Sequence, residues 1–168
     1  YKVTGVQTCA LPISIMVHSY PTGQVARRQI QIFREEGVDL TRVKIDHSND
    51  TTDIEYLKWI LDQGCYLGLD RYPGRLVSPH MRTVTLKTLI DEGFGDRLCP
   101  SHDCICLAVL KENADGTMPD MHEFARGNHH AYLYINREVI PDLQEMGVPD
   151  SVIEDLFVNN PRRFFAGH

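Results

Sequence analysis

Short apolar runs alternate with amphipathic helical patterns along most of the chain. Four runs, at 15–18, 43–47, 65–69 and 98–103, have the length and character of buried β-strands. Between them, apolar residues recur at helical spacing over 22–36, 52–64 and 79–93. Strands that alternate with helical patterns in this way predict βα units and a parallel sheet.

The ends of the helical patterns carry recognisable signals. Each of the three patterns ends at a glycine (Gly37, Gly64 and Gly93), as expected for a left-handed C-terminal cap. Thr52 and Glu55 have the spacing of a capping box at the start of the second helix. After the fourth strand, a long connection over 104–131 precedes two further helices, near 135–146 and from about 150 onward.

Two architectures agree with this order of elements. Four βα units without a returning strand predict an α/β fold that is half of a (β/α)8 barrel. A doubly wound sheet of five or six strands is the alternative.

Ionisable side chains stand at the ends of three predicted strands. His18, His47 and Asp103 each follow an apolar run directly. Active sites of parallel α/β proteins lie at the carboxyl ends of the strands. Two imidazoles and a carboxylate are suitable ligands for a hydrolytic metal ion of the Zn²⁺ type. By strand alternation, His102 should face away from Asp103 and should pack or support a neighbouring ligand rather than bind the metal itself. His80 should be a solvated surface residue.

Composition narrows the classes of function. The net charge of −6 argues against a nucleic-acid-binding surface, and no apolar segment is long enough to span a membrane. Of the five cysteines, Cys65, Cys99, Cys104 and Cys106 lack the paired C-x-x-C spacing of a zinc site. We interpret them as structural thiols and expect a reducing, cytoplasmic location.

The first fourteen residues differ in character from the rest. Residues 3–13 match one translated reading frame of a common sequencing adapter. A signal peptide is the alternative, but Gly5 and Pro12 interrupt its apolar stretch. We therefore expect residues 1–14 to be non-native and residues 15–168 to be the natural part, with its upstream portion missing.

Five motifs, in order, resemble those of a known family. They are QIFREEGVD at 31–39, DHSNDTTD at 46–53, GLDRY at 68–72, SHD at 101–103 and NPRRFF at 160–165. Together they resemble the C-terminal half of the phosphotriesterase family, in the amidohydrolase superfamily. GLDRY is similar to the lactonase-like branch, although Pro73 stands where that branch usually has glycine.

The resemblance implies a binuclear metal hydrolase with these strands as the fifth to eighth of the barrel. His18 and His47 would bind the more exposed of two divalent ions, zinc by preference, with Mn, Co or Fe as alternatives. Asp103 would bind the more buried ion and receive the proton from a bridging hydroxide. Asp50 and Arg71 would pass that proton outward, and Arg71 and Tyr72 would contact the substrate.

The resemblance also implies what the whole protein does. The expected substrates are small lactones, carboxylic esters or phosphotriesters, and the full-length protein could form a homodimer. The His-x-His pair and the lysine that complete the family's site are absent here, so we expect the chain alone to be inactive. A non-catalytic half-barrel that serves as an assembly or binding module is the alternative from another class.

Overall fold

Strands and helices alternate along the computed structural model, which describes residues 13–74, 76–104, 115–117 and 131–166. The strands are β1 (Ile15–Val17), β2 (Val43–Ile45), β3 (Tyr66–Leu69) and β4 (Leu98–Pro100). The α-helices are α1 (Ala26–Glu35), α2 (Ile54–Asp62), α3 (Pro79–Asp91), α4 (Ile140–Glu145), α5 (Asp150–Glu154) and α6 (Asn160–Ala166). π-Helical turns at Ile135–Val139 and Asp155–Asn159 lead into α4 and α6.

Some predictions fall outside the described residues. These include the expectations for residues 1–12, for Cys106 and for most of the connection over 104–131. Of the helices that are described, none is both long and apolar enough to cross a lipid bilayer.

The four strands form one parallel sheet in the order β1-β2-β3-β4. Ile15 pairs with Val43, Lys44 with Tyr66, and Leu67 with Leu98. Each strand therefore lies beside the next one along the chain, without the reversal of order that defines a doubly wound sheet. This is the order of consecutive strands in an α/β barrel.

One face of the sheet packs against the helices. Ile45 and Leu67 project from the strands into an apolar core that includes Ile30 of α1, Leu57 of α2 and Leu86 of α3, all almost fully buried. Fully burying such a side chain contributes about 1.5–3 kcal/mol. The helices thus hold the sheet through the predicted apolar positions.

The opposite face of the sheet is polar at its carboxyl end. Because strand side chains alternate, Lys44 and Asp46 lie on the other face from Ile45. Lys44 and Asp46 form a buried ion pair, in which each side chain is about a tenth exposed. Gly68 lies beside them, and a β-carbon there would overlap the Asp46 carboxylate. The sequence thus leaves room at Gly68 for charged groups near the candidate site.

The structure corrects one helix end and confirms others. Asp53, not Thr52, caps α2, and its carboxylate accepts a hydrogen bond from the Tyr56 backbone N–H at 3.1 Å. The capping-box prediction was therefore wrong by one residue. Gly37, Gly64 and Gly93 have φ of 73°, 100° and 90°, the left-handed conformation predicted for them.

Candidate active site

The carboxyl ends of the four strands bring the predicted ionisable residues together. His18 follows β1 directly, His47 follows β2 after one residue, and Arg71 follows β3 after one residue. Asp103 lies three residues beyond the end of β4. Parallel strands place these positions at one edge of the sheet, as the sequence predicts.

His47 is held by a carboxylate that sequence reasoning missed. One oxygen of Asp70 accepts hydrogen bonds from the His47 backbone N–H (2.8 Å) and from its ring Nδ1 (3.0 Å). His47 has φ of 62°, a conformation that is uncommon for a residue with a side chain. With the proton on Nδ1, the lone pair on Nε2 points away from Asp70.

His18 meets His47 on that free side. The Nδ1 atom of His18 lies 2.6 Å from Nε2 of His47, and the two rings are nearly perpendicular, with centroids 4.2 Å apart. The two imidazoles therefore direct one ring nitrogen each to the same point.

Asp103 approaches from the Arg71 side. Its Oδ2 accepts a hydrogen bond from Arg71 Nε at 3.1 Å and lies 3.9 Å from His47 Nδ1. The Asp103 side chain is 44% exposed and has φ of 47°. A carboxylate so placed is open to solvent on one side and anchored by a cation on the other.

Arg71 links Asp103 to Asp50. Its NH1 donates to Asp50 Oδ2 at 2.6 Å, and the Asp50 side chain is almost completely buried. Partial burial lowers the pKa of the Arg71 guanidinium, but the bonds to Asp50 and Asp103 outweigh it and raise that pKa above its ordinary value. Arg71 is therefore a permanent cation between two carboxylates.

Asp70 is the most perturbed acid near the site. Burial, reinforced by the nearby Asp46 carboxylate, raises the pKa of Asp70 to about 6, while His47 and Lys44 act in the opposite direction. Asp70 stands between Leu69 and Arg71 in the GLDRY motif. Its position at a strand end was a signal that could have identified it.

Arg82 is the second residue that sequence reasoning missed. Its guanidinium is fully buried and donates to Asp50 Oδ1 at 2.7 Å. Arg82 lies on α3, 32 residues from Asp50. Spacing along the chain gives no signal for such a contact.

Two other predicted residues lie away from the ionisable cluster. Tyr72 was predicted to contact substrate, but it is 1% exposed and belongs to the hydrophobic core. Beyond the end of β3, the Tyr72 ring packs into the core, whereas the Arg71 side chain beside it reaches Asp50 and Asp103. That prediction is corrected here. His102 accepts a hydrogen bond from the Ile135 backbone N–H at 3.1 Å, which agrees with its predicted packing role.

The donor set fits part of a metal site. His18 and His47 converge through ring nitrogens, and the Asp70 carboxylate fixes the His47 ring as such carboxylates do for metal-binding histidines. A zinc site takes three or four protein ligands. Within the part of the chain that the structure describes, no group of three or more His, Cys, Asp or Glu side chains could hold a metal ion.

The fold and the site define a class: a parallel α/β chain with its ionisable residues gathered at the carboxyl ends of the strands. The chain belongs to the phosphotriesterase family, whose sequence profile matches residues 4–165. It is 36% identical to the phosphotriesterase homology protein of Mycobacterium tuberculosis over 154 residues, which is 90% of this chain and 44% of that protein.

Two further comparisons agree. The chain is 34% identical to the aryldialkylphosphatase of Saccharolobus solfataricus, covering 92% of this chain and 48% of that protein. The solved structure of the phosphotriesterase from M. tuberculosis superimposes with a TM-score of 0.79 at 34% identity, covering 90% of this chain and 45% of that one. The chain thus spans less than half the length of the relatives it matches.

Proposed function

We propose that this chain is the C-terminal half of a (β/α)8 metal-dependent hydrolase that acts on lactones, carboxylic esters or phosphotriesters. The observation that carries the proposal is the His18–His47 pair, in which two ring nitrogens converge 2.6 Å apart at the carboxyl end of the sheet. The anchoring of His47 by Asp70 supports a ligand role, because it turns Nε2 away from Asp70 and toward His18.

His18 and His47 would hold one divalent ion, and Asp103 would contribute to a second. Zinc is the preferred ion for these donors, with Mn, Co and Fe as alternatives. When bound, such ions polarise a carbonyl or phosphoryl oxygen and lower the pKa of water. The remaining ligands would come from the upstream half, where the family has a His-x-His pair and a lysine.

Residues of this chain would accept the proton and stabilise the carboxylates involved. Asp103 is exposed on one side and accepts a charge-assisted bond from Arg71 on the other, so it can orient a water molecule and take its proton. Arg71 keeps its charge at working pH and stabilises the ionised carboxylates of Asp103 and Asp50.

A non-catalytic half-barrel is the second candidate. Met16, in the middle of β1, is 54% exposed, which favours a partner surface against this end of the sheet. The upstream sequence separates the two candidates, because a strand ending in His-x-His followed by a strand-end lysine indicates the enzyme. We further propose a reducing, cytoplasmic setting, since Cys65 and Cys99 are buried thiols outside any disulfide.

The role of Asp103 provides the test of the proposed function. In the full-length protein that contains this chain, Asp103→Asn should lower kcat by about 10²–10⁴-fold, because it removes the proton acceptor. The substrate KM should change far less. Steady-state kinetics on lactone, aryl ester and phosphotriester panels measure both quantities.

His80→Asn is the matched control, because His80 is exposed at the start of α3. It should leave kcat and KM unchanged. Unchanged turnover in Asp103→Asn, or absence of hydrolysis on every panel by the metal-loaded wild type, would contradict the proposed function.

A further inference from the structure

Asp50 lies between two guanidinium groups. Arg82 donates to its Oδ1 at 2.7 Å, and Arg71 donates to its Oδ2 at 2.6 Å. Both carboxylate oxygens are therefore engaged by a cation. The two arginines differ greatly in exposure, since the Arg82 side chain is fully buried and that of Arg71 is 31% exposed.

The Arg82 guanidinium is held by several hydrogen bonds. Besides Asp50, it donates through NH1 to the Asn49 carbonyl at 2.6 Å and through Nε to the Val77 carbonyl at 3.0 Å. These three bonds join α3 to the turn after β2 and to the segment that follows β3. A planar guanidinium matches such a set of acceptors, whereas a lysine ammonium does not.

The chain beyond β3 is shaped around this guanidinium. Gly74 has φ of 70° and lies so close to Arg82 that a β-carbon there would overlap the guanidinium. Asn49 contacts both arginines, because its side-chain oxygen also accepts a hydrogen bond from the Arg71 backbone N–H at 3.2 Å. The position of Arg82 is thus fixed from several sides.

Arg71 has no comparable enclosure. Its long side chain reaches Asp103 at 3.1 Å while it is partly open to solvent. A free arginine side chain samples many rotamers, and holding it in one of them costs conformational entropy. The bond to buried Asp50 is what restrains it near Asp103.

We propose that Arg82 is a positioning residue of the active site, acting through Asp50 to hold Arg71 against Asp103. This inference rests on the proposed function for its kinetic consequence, but not for its structural one. Arg82 touches neither Asp103 nor the histidine pair; its effect passes along the alternating series Arg82, Asp50, Arg71, Asp103. If the Arg82–Asp50 ion pair only stabilised the fold, its loss would not change the position of the Arg71 side chain.

A double-mutant cycle in the full-length protein tests the kinetic consequence. Arg82→Gln should lower kcat about tenfold, and Asp50→Asn should lower it at least as much. The double variant should match Asp50→Asn alone, because residues that act through one another are not additive. Losses that multiply, or an unchanged kcat in Arg82→Gln, would overturn the proposal.

Arg97→Gln is the matched control. Arg97 donates to the Leu61 carbonyl at 2.9 Å, at the end of α2, away from Asp50. It should lower stability without changing kcat or KM. Where Arg82→Gln fails to fold, Arg82→Lys keeps the charge but loses the fork, and should show the same loss of kcat; full activity in Arg82→Lys would refute the positioning role.

A second measurement needs no activity. In protein labelled with ¹⁵N-arginine, the Nε–H signal of Arg71, assigned with Arg71→Lys, should be protected from exchange with water. Arg82→Gln should abolish that protection, and Arg97→Gln should not. Retained protection in Arg82→Gln overturns the inference even if no substrate is found, whereas lost protection without hydrolysis contradicts only the proposed function.

Discussion

His47 and Asp103 both adopt left-handed backbone conformations, with φ of 62° and 47°. Such conformations cost about 1–3 kcal/mol each and persist where the surroundings impose them. At His47 the Asp70 carboxylate imposes it, through bonds to the backbone and to the ring of the same residue. At Asp103, the hydrogen bond that the side chain accepts from Arg71 plays the corresponding role. Strain at two predicted ligands is typical of a functional site.

The Arg71 side chain is predicted to influence the choice of substrate. We expect Arg71→His in the full-length protein to lower activity on lactones relative to phosphotriesters, because we propose that the long, partly exposed guanidinium lies at the mouth of the site, where a histidine would leave more room. The measurement is kcat/KM on matched lactone and phosphotriester panels. A change by the same factor on both panels would mean that Arg71 is only structural.

The sequence predicted the residues whose role follows from position at a strand end. His18, His47 and Arg71 lie where the alternation of elements put them. Arg82 escaped prediction because its partner Asp50 lies 32 residues away, and a contact between elements depends on packing. Asp70 directly follows β3 and carried the strand-end signal, but it was not assigned a role. The resemblance placed Tyr72 at the substrate, and burial of its ring in the core could not be read from a position beyond the end of β3.

At the scale of elements, local capping interactions determine where each helix begins and ends. They thereby set how each βα unit is placed at the site. The glycine C-caps were predictable, since a left-handed residue at a helix end favours glycine. The N-cap of α2 was not, because Thr52 and Asp53 are both good N-cap residues and the structure alone shows that the Asp53 carboxylate accepts the bond from the Tyr56 N–H.

Asp53→Ala should lower the free energy of unfolding of the full-length protein by about 1 kcal/mol, because it leaves a backbone donor of α2 without its cap. Thr52→Ala, at the neighbouring exposed position, is the matched control and should change it by less than about 0.5 kcal/mol. Urea unfolding followed by circular dichroism gives both values. Equal losses in the two variants would restore the capping-box interpretation.

At the scale of the whole molecule, the described sheet has two open edges, because β1 pairs only with β2 and β4 only with β3. Met16 is exposed in the middle of β1, and Ile13 just before it is 61% exposed. Parallel sheets are normally covered on both faces, and open edges favour association. The sheet order was predictable from the repeat of βα units, and so were the open edges, whereas the burial of Lys44, Tyr66 and Cys99 on the face opposite the helices became visible only in three dimensions.

The 168-residue chain by itself should therefore be poorly stable and self-associating. Size-exclusion chromatography with light scattering should show oligomers or aggregates, and a dye for exposed apolar surface should bind strongly. Co-expression with the upstream half should suppress both signals. A monodisperse monomer with a sharp cooperative melt would contradict the half-barrel proposal.

The proposed binuclear metal site is tested most directly by the metal content of the full-length protein and of its His47→Asn variant, measured by mass spectrometry of the purified proteins. We expect two divalent ions in the wild type, a clear loss of both bound metal and hydrolysis in His47→Asn, and wild-type metal content in His80→Asn. Full metal content in His47→Asn would contradict the proposed site.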